Sequence, residues 1–303
     1  MKLVAWGKSD TGRKRDHNED NFLIDAALGL YAVADGMGGH QGGETASRMA
    51  LEVLRREMSA AHDDYEAALS RYKVADSRRT QPISTSAFRT TAELDARAEP
   101  TEDSVTTQEP AFGDEPTEPS FVAQPAGSVV KAAAREAGHE IFDAAMASSD
   151  LRGMGTTLTA MLYADGRMHV VHAGDSRAFL FRDNQLQQLT EDHSWIWEQV
   201  KAGAMTEEEA KESKFRHIIT RSVGFERDVE MDLLGVAVQA GDCFLLCSDG
   251  MSNYIENPEL ERLLSSNWYR RAPQLLIDLA NERGGDDNIT VIVVCACNDE
   301  TEE

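Results

Sequence analysis

Short apolar runs separated by turn residues predict strands at the start of the chain. Residues 3–6, 21–25 and 30–34 have strand-like patterns, and residues 26–29 between the last two predict a hairpin turn. From residue 44 to residue 58 the apolar side chains instead recur every three or four positions, which predicts an amphipathic helix. The chain therefore begins with paired strands and continues into a helix.

The rest of the chain predicts hairpins rather than strand–helix–strand crossovers. Asp165-Gly166 and Asp183-Asn184 have the chemistry of tight hairpin turns. Thr206 and Glu209 form a capping-box pattern for a short helix. Strands are predicted at residues 156–163, 167–173, 177–181, 185–189, 231–238, 243–247 and 289–296, and helices from Ser128 onward and at 195–203, 207–213, 258–264 and 273–283. Strands joined by tight turns pair antiparallel, so we expect an α+β fold with antiparallel sheets covered by helices.

One long segment breaks this pattern. From residue 65 to about 126 there is little sustained periodicity, and the segment is first basic and then acidic, rich in Pro, Ser and Thr. Such a composition buries too little apolar surface to offset the entropy of ordering. We predict a disordered insertion at residues 76–126 within a single domain spanning residues 1–298, with a tail at 299–303. The insertion is either a spacer without a role of its own or a site of phosphorylation.

Charge and cysteine content narrow the function. A formal net charge of −23 argues against sequence-independent nucleic-acid binding, which requires clustered Lys and Arg. The four cysteines lie in apolar runs, which favours buried strand positions over a zinc site. The N-terminus lacks the apolar core of a secretory signal, and no apolar stretch is long enough for a membrane span. We therefore expect a protein of the cytoplasm.

Acidic residues beside Gly or Asn recur along the whole chain, mostly where a predicted strand ends. They occur in the segments RDHNEDN from Arg15, DGMGGH from Asp35, GDSR from Gly174, SDG from Ser248 and GGDDN from Gly284. Carboxylates that converge repel one another, by roughly 4 kcal/mol per pair at ~4 Å and an effective dielectric of about 20. Hard divalent cations relieve that repulsion because they bind carboxylate and carbonyl oxygens. The pattern favours a metal-dependent enzyme.

The order and content of these motifs resemble the metal-dependent protein phosphatases (the PPM, or type 2C, serine/threonine phosphatases) in their compact bacterial form. The resemblance covers nearly the whole chain outside the insertion and also includes GTTL, LTEDHS and ITRSVG at residues 155–158, 189–194 and 219–224. It implies a four-layer α-β-β-α sandwich with the metal site at one end, between the sheets. It also implies two Mn²⁺ or Mg²⁺ ions.

By this resemblance, two cations share a ligand set. Asp35 bridges both ions, and the Gly36 carbonyl binds one of them. Asp249 and Asp287 complete the first site, while Glu19 serves the second and Asp20 acts through a bound water. Arg15 clamps the phosphate with its planar fork of donors, and an activated water attacks phosphorus in line.

Further assignments leave alternatives open. The family's animal members carry His directly after Asp-Gly, where this chain has Met37. His40 is then the candidate general acid, unless it braces the following helix and a metal-bound water supplies the proton. Asp175, with Asp249, suggests a third and weaker cation site, the alternative being a turn residue bonded to Arg177. Residues 194–216 correspond to the family's mobile flap.

The favoured function is hydrolysis of phosphoserine and phosphothreonine in proteins, opposing a bacterial serine/threonine kinase. A phosphatase of small phosphoesters and a catalytically silent phosphopeptide-binding module are the alternatives. The presence of Asp35, Asp249 and Asp287 argues against the silent module. Thr106-Thr107-Gln108-Glu109 in the insertion is a candidate phosphothreonine ligand for a reader domain, or a tether to substrates.

Overall fold

Two antiparallel sheets stacked face to face form the centre of the molecule. The computed structural model describes residues 1–79, 124–215, 217–266 and 269–297. One sheet has the strand order β1-β11-β10-β7-β8, and the other has the order β2-β3-β5-β6-β9 with β4 paired to β3. The strands are β1 (Lys2–Asp10), β2 (Asp20–Asp25), β3 (Leu30–Met37), β4 (Gly155–Thr156), β5 (Leu158–Ala164), β6 (Arg167–Ala173), β7 (Arg177–Arg182), β8 (Gln185–Gln188), β9 (Asp232–Ala237), β10 (Cys243–Cys247) and β11 (Ile289–Cys297).

Helices cover the outer face of each sheet. The helices are α1 (His40–Ala61), α2 (Tyr65–Arg79), α3 (Pro125–Ala147), α4 (Trp195–Lys201), α5 (Glu207–Glu212), α6 (Asp249–Ser252), α7 (Asn257–Ser266) and α8 (Ala272–Glu282). Helices α1 to α3 share an apolar core with β3, β5 and β6, whereas α6 to α8 share one with β7, β10 and β11. A third core lies between the sheets. These layers are the α-β-β-α sandwich that the sequence predicts.

The burial of each element follows its sequence pattern. In α1, Ala46, Ala50, Leu54 and Met58 are almost fully buried and recur every four residues, so they form one stripe facing the sheet. Strand β11 reads ITVIVVCAC and is buried on both faces, because it lies between a helix layer and the opposite sheet. The spacing of apolar residues thus distinguishes helix α1, which covers one sheet, from strand β11, which is buried inside the other.

The predicted hairpin turns have the backbone conformation that their residues suit. Asp183 and Asn184 have φ angles of 53° and 60° between β7 and β8, and Asp165 has a φ of 52° between β5 and β6. Positive φ at both central residues matches the twist of the flanking strands, and Asp, Asn and Gly tolerate it best. The turns predicted from the sequence are confirmed.

Two helix boundaries differ from the prediction. Helix α3 begins at Pro125, three residues before Ser128, because Pro fits the first turn, where its missing N–H leaves no bond unmade. Helix α2 occupies residues that lack clear periodicity and continues to Arg79. Residues 76–79 and 125–126, which we assigned to a disordered insertion, are therefore helical, and Gln124 is the extended N-cap of α3. The remainder of that prediction, the Thr106–Glu109 motif and the 299–303 tail lie outside the described residues.

The cysteines occupy the predicted strand positions. Cys243, Cys247 and Cys295 are buried, and Cys297 is partly exposed. Cys243 faces Cys295 across β10 and β11, with their Sγ atoms 2.9 Å apart, and both are free thiols. Within the described ranges, no helix combines the length and the apolar character that crossing a bilayer requires.

Candidate metal centre

Strand ends bring the predicted acids together between the two sheets. Asp20 begins β2 and lies directly opposite Asp35 on β3. Asp249 follows β10 and begins α6, while Asp287 precedes β11. Burial raises the pKa of Asp35 well above its ordinary value, and the charges of Asp20, Asp249, Asp175 and Asp287 raise it further. The acids named from the sequence therefore share one electrostatic environment.

Asp20 is held by two hydroxyl groups. Its Oδ2 accepts hydrogen bonds of 2.7 Å from both Ser248 Oγ and Thr290 Oγ1, whereas its buried Oδ1 has no protein partner. Burial raises the pKa of Asp20 to about 7, because it outweighs the lowering effect of the two hydroxyl groups. The sequence analysis did not assign Ser248, the first residue of the SDG motif, or Thr290, two residues beyond the GGDDN motif, to the site.

Asp249 and Asp175 each keep one buried oxygen without a partner. Asp249 Oδ2 accepts from Asn253 Nδ2 at 3.0 Å, and its Oδ1 has no hydrogen-bond partner. Burial and then Asp287 raise the pKa of Asp249, while Asn253 and the nearby His217 oppose that shift. Asp175 is 7% exposed, and its Oδ1 is likewise without a partner.

Arg177 does not serve as the hydrogen-bond partner that we considered for Asp175. Its Nε and Nη2 donate to the two carboxylate oxygens of Asp192, at 2.8 and 2.7 Å. Burial and the charge of Asp249 raise the pKa of Asp175 well above its usual range, and Arg177 opposes this only weakly. Asp175 therefore lies close enough to Asp249 for their charges to repel, and it is not bonded to Arg177 as a turn-stabilising role would require.

Gly36 is needed because the backbone of α1 approaches it closely. A Cβ at residue 36 would lie 2.1 Å from the Gly43 carbonyl oxygen and 2.7 Å from the Glu19 carbonyl oxygen. Gly43 in turn packs against the Glu19 carboxylate, since a Cβ there would lie 2.4 Å from Glu19 Oε2. Two glycines thus bring Glu19 and the strand end of Asp35 into one confined space.

Arg15 lies at the rim of the site. Its Nη2 donates to Asp287 Oδ2 at 2.7 Å, and the two side chains are 48% and 28% exposed. Asn288 fixes the loops around this pair, because its Oδ1 accepts from Glu19 N and its Nδ2 donates to the carbonyl oxygens of Thr11 and His17. Asn288 is a further residue whose role the sequence analysis did not predict. Its side-chain amide joins the acidic loops.

Only the backbone of His40, the predicted general acid, is described. His40 is the first residue of α1, so it lies near the loop that follows Asp35, but its side chain is outside the described part of the structure. The predicted flap is described except for residue 216; it contains α4 and α5 and belongs to neither sheet. The role of His40 stays a prediction.

The donor set fits hard divalent cations. The buried oxygens without a partner include Asp20 Oδ1, Asp175 Oδ1 and Asp249 Oδ1. Each would cost free energy if left unpaired, and each is a ligand that Mn²⁺ and Mg²⁺ accept. In the described part of the chain, no three Asp, Glu, His or Cys side chains are grouped so that they could hold a metal ion as they stand.

Comparison with known proteins agrees with this geometry. The family model for protein phosphatase 2C matches residues 11–275. The chain belongs to the protein phosphatase 2C family. The matched range includes Asp20, Asp35, Asp175 and Asp249 and ends before Asp287.

Individual relatives match over nearly the full length. The chain is 32% identical to the serine/threonine phosphatase stp of Listeria monocytogenes, over 96% of this chain and 95% of that protein. A crystal structure of the serine/threonine phosphatase PstP from Mycobacterium tuberculosis has a TM-score of 0.73 and 30% identity, covering 98% and 100% of the two chains. A crystal structure of the PstP catalytic domain in complex with two manganese ions has a TM-score of 0.70 and 30% identity, covering 98% and 99%.

Proposed function

We propose that this protein is a metal-dependent phosphatase that hydrolyses phosphoserine and phosphothreonine in proteins. One observation carries the proposal: Asp20, Asp35, Asp175 and Asp249, buried or half-buried near strand ends, have raised pKa values, and three of them keep a buried oxygen without a partner. The match to the protein phosphatase 2C family supports the proposal. Two Mn²⁺ or Mg²⁺ ions are the expected cofactors, as in the manganese complex of PstP.

The ligands are assigned from the resemblance to the family, and the mutual repulsion of Asp35 and the other acids supports the assignment. Asp35 would contact both ions, and the Gly36 carbonyl, Asp249 and Asp287 would hold the first of them. Glu19 and, through water, Asp20 would hold the second ion. When bound, such a pair of ions activates water for attack on phosphorus. Asp175 and Asp249 would hold a third, weaker ion.

Arg15 binds and orients the substrate. In the described structure its guanidinium neutralises Asp287. From this position the guanidinium can turn toward a bound phosphate, to which its planar fork can donate two parallel hydrogen bonds. Asp287 thereby keeps Arg15 beside the site before substrate arrives.

Departure of the serine or threonine alkoxide requires a proton. We assign His40 as its donor because it lies three residues beyond Met37, at the start of α1. An imidazole titrates near neutral pH and can pass a proton to an alkoxide. Bracing of α1 remains the alternative role for His40.

The expected partners are phosphorylated proteins and the serine/threonine kinase that modifies them. Similarity to the serine/threonine phosphatases stp and PstP supports this assignment. Four free cysteines agree with a reducing compartment, and we place the protein in the cytoplasm. The 80–123 segment is assigned to partner binding through a phosphothreonine reader domain. Deleting it should abolish capture by such a domain and leave turnover of a small phosphoester unchanged; equal capture would contradict the assignment.

The decisive experiment measures phosphate release from a phosphothreonine peptide by the purified protein. Turnover should require Mn²⁺, disappear in EDTA and fall steeply in Asp249→Asn. A small aryl phosphate run in parallel separates the substrate classes, because a small-phosphoester enzyme would prefer it to the peptide. A folded protein that turns over neither substrate with Mn²⁺ or Mg²⁺ would instead be a silent phosphopeptide-binding module, which peptide binding would then reveal.

A further inference from the structure

The loop that leads into the flap is bonded to the turn that carries Asp175. His193 donates its backbone N–H to the Gly174 carbonyl oxygen at 2.7 Å. The Gly174 N–H donates back to His193 Nδ1 at 3.2 Å. The neighbouring Asp192 accepts both bonds from Arg177. Residues on each side of Asp175 are therefore held by consecutive residues of one loop.

The imidazole of His193 is itself held in one orientation. Because Nδ1 accepts from Gly174, the proton lies on Nε2, which donates to Asp232 Oδ2 at 3.1 Å. Arg221 donates to the other oxygen of Asp232 at 3.2 Å. His193 is 7% exposed, whereas the Asp232 side chain is 46% exposed, so a buried ring is bonded to a carboxylate that reaches the surface. Asp232 thus fixes both the tautomer and the direction of the ring.

His193 also joins the two ends of the flap. Its carbonyl oxygen accepts from Thr220 N at 2.8 Å, where the chain returns from α5. The next residue, Ser194, bridges Ile219 and caps α4 by accepting from Trp197 N at 3.3 Å. A movement of the flap ends would therefore pull on the same residue that holds Gly174.

The turn is confined from the other side as well. Gly174 has a φ of 119°, and a Cβ there would lie 2.6 Å from the side chain of Thr157. Thr157 Oγ1 accepts from Asp35 N at 2.9 Å. The Gly174–Asp175 peptide is held between His193 and the strand end of Asp35, so it has few alternative orientations.

We propose that His193, oriented by Asp232, is a positioning residue that holds Asp175 toward Asp249 and couples cation binding at Asp175 to the flap. This inference rests on the proposed function, because it assigns a task within that site. His193 contacts neither substrate nor a reacting atom in this role. It acts through Gly174 on one side and through Thr220 and Ser194 on the other.

Three substitutions of His193 test the contacts of its two ring nitrogens separately. His193→Asn keeps a short acceptor for the Gly174 N–H but cannot reach Asp232. His193→Gln keeps a donor that reaches Asp232 and lacks the short acceptor. His193→Ala lacks both. His62→Asn is the matched control, since His62 is exposed at the end of α1, on the opposite side of the sheet from the loop.

The first measurement counts bound Mn²⁺ by electron paramagnetic resonance of the free ion. We expect His193→Ala and His193→Gln to weaken the weakest site by about tenfold or more, as loss of a group that orients a metal ligand does, with the tighter sites unchanged. Hydrogen exchange of Gly174 and of residues 194–220 should accelerate in the same variants. His193→Asn should retain more of the weak site than His193→Gln. A uniform loss at all sites, in step with a lower melting temperature, would show a merely structural role and overturn the proposal.

A double-mutant cycle with Asp175→Asn provides the second measurement. If His193 acts through Asp175, His193→Ala should lower kcat in the wild-type background and have little further effect on Asp175→Asn. Additive effects would contradict the coupling. A wild-type protein without turnover would refute the proposed function alone, because the manganese and exchange measurements would still decide the role of His193.

Discussion

The acids inside the centre and the ion pair at its rim differ in what surrounds them. Asp20 is 4% exposed; two neutral hydroxyl groups donate to one of its oxygens and the other has no partner, so its charge is only partly compensated. Arg15 and Asp287 are 48% and 28% exposed and compensate each other, with water screening what remains. In the metal-free protein the buried acids therefore lower the free energy of unfolding, whereas the ion pair at the rim changes it little. A cation should therefore change the stability of the protein mainly through the interior.

The largest effect is expected from Asp35→Asn. Loss of the central carboxylate should reduce turnover by on the order of a thousandfold or more. It should also raise the melting temperature of the metal-free protein by about a few degrees, because it removes a charge that the other acids repel. Phosphate release and calorimetry in EDTA would measure the two changes. Asp25→Asn on the same hairpin, which loses only a bond to Arg55, should change neither by much.

The pH dependence of stability is the next largest effect. Burial raises the pKa of Asp20 to about 7 in the folded state, against about 3.9 when unfolded. The folded protein therefore holds this proton while the unfolded chain has lost it, and stability falls as pH rises from about 4 to about 7. The loss from Asp20 alone amounts to about 4 kcal/mol.

Urea unfolding in EDTA between pH 5 and pH 8 would measure this dependence. Asp20→Asn should make the curve less steep, since its amide does not titrate and Asp35 loses one repelling charge. A wild-type stability that rises with pH relative to Asp20→Asn would contradict the raised pKa.

Addition of Mn²⁺ should oppose the same loss. A ligand at a hundred times its Kd stabilises the folded state by about 2.7 kcal/mol, which corresponds to roughly 5–10 °C in Tm for a domain of this size. The shift should grow from pH 6 to pH 8, because the ion binds the deprotonated acids. Scanning calorimetry with and without EDTA would measure it. A shift of the same size in Asp35→Asn would place the ion elsewhere.

The smallest effect on stability is expected at the rim. Arg15→Ala should raise KM by about tenfold through loss of the bidentate phosphate contact, and Arg15→Lys should recover only part of it. The free energy of unfolding should change by less than about 0.5 kcal/mol. Lys14→Ala, which removes the adjacent exposed pair with Asp286, is the control and should leave KM unchanged. Equal KM values for the two alanine variants would remove Arg15 from the substrate site.

Local chemistry made much of the fold predictable. Asp183-Asn184 adopts positive φ because few other residues do so at low cost, and the buried stripe of α1 repeats at helical spacing. Helix α2 was not predicted because its sequence lacks such a pattern. It has no clear apolar stripe: Ala68 is buried, Leu69 and Tyr72 pack only partly, and contact with the core beneath α1 and α3 stabilises it. Many of its residues are good helix formers, so propensity and tertiary contact together form that helix.

The candidate metal centre, likewise, could be predicted only in part. The motifs named the acids, because carboxylates beside glycine at strand ends are visible in the sequence. They did not reveal that Ser248 and Thr290 share one oxygen of Asp20, or that Arg15 faces Asp287. Those contacts depend on how β2, β10 and β11 are placed relative to one another. The sequence motifs alone thus identify the candidate ligands, whereas the hydrogen-bond partners of those ligands depend on how the strands pack.

Strand β11 begins two residues after Asp287 and ends at the partly exposed Cys297, while the other three thiols are buried. An extended strand rises about 3.3 Å per residue, so roughly 30 Å of rigid backbone separates that thiol from the acidic end. Cys297 is accordingly a natural attachment point for a single spectroscopic label. Paramagnetic Mn²⁺ would change the relaxation of such a label, and the protein's own central strand would serve as the ruler.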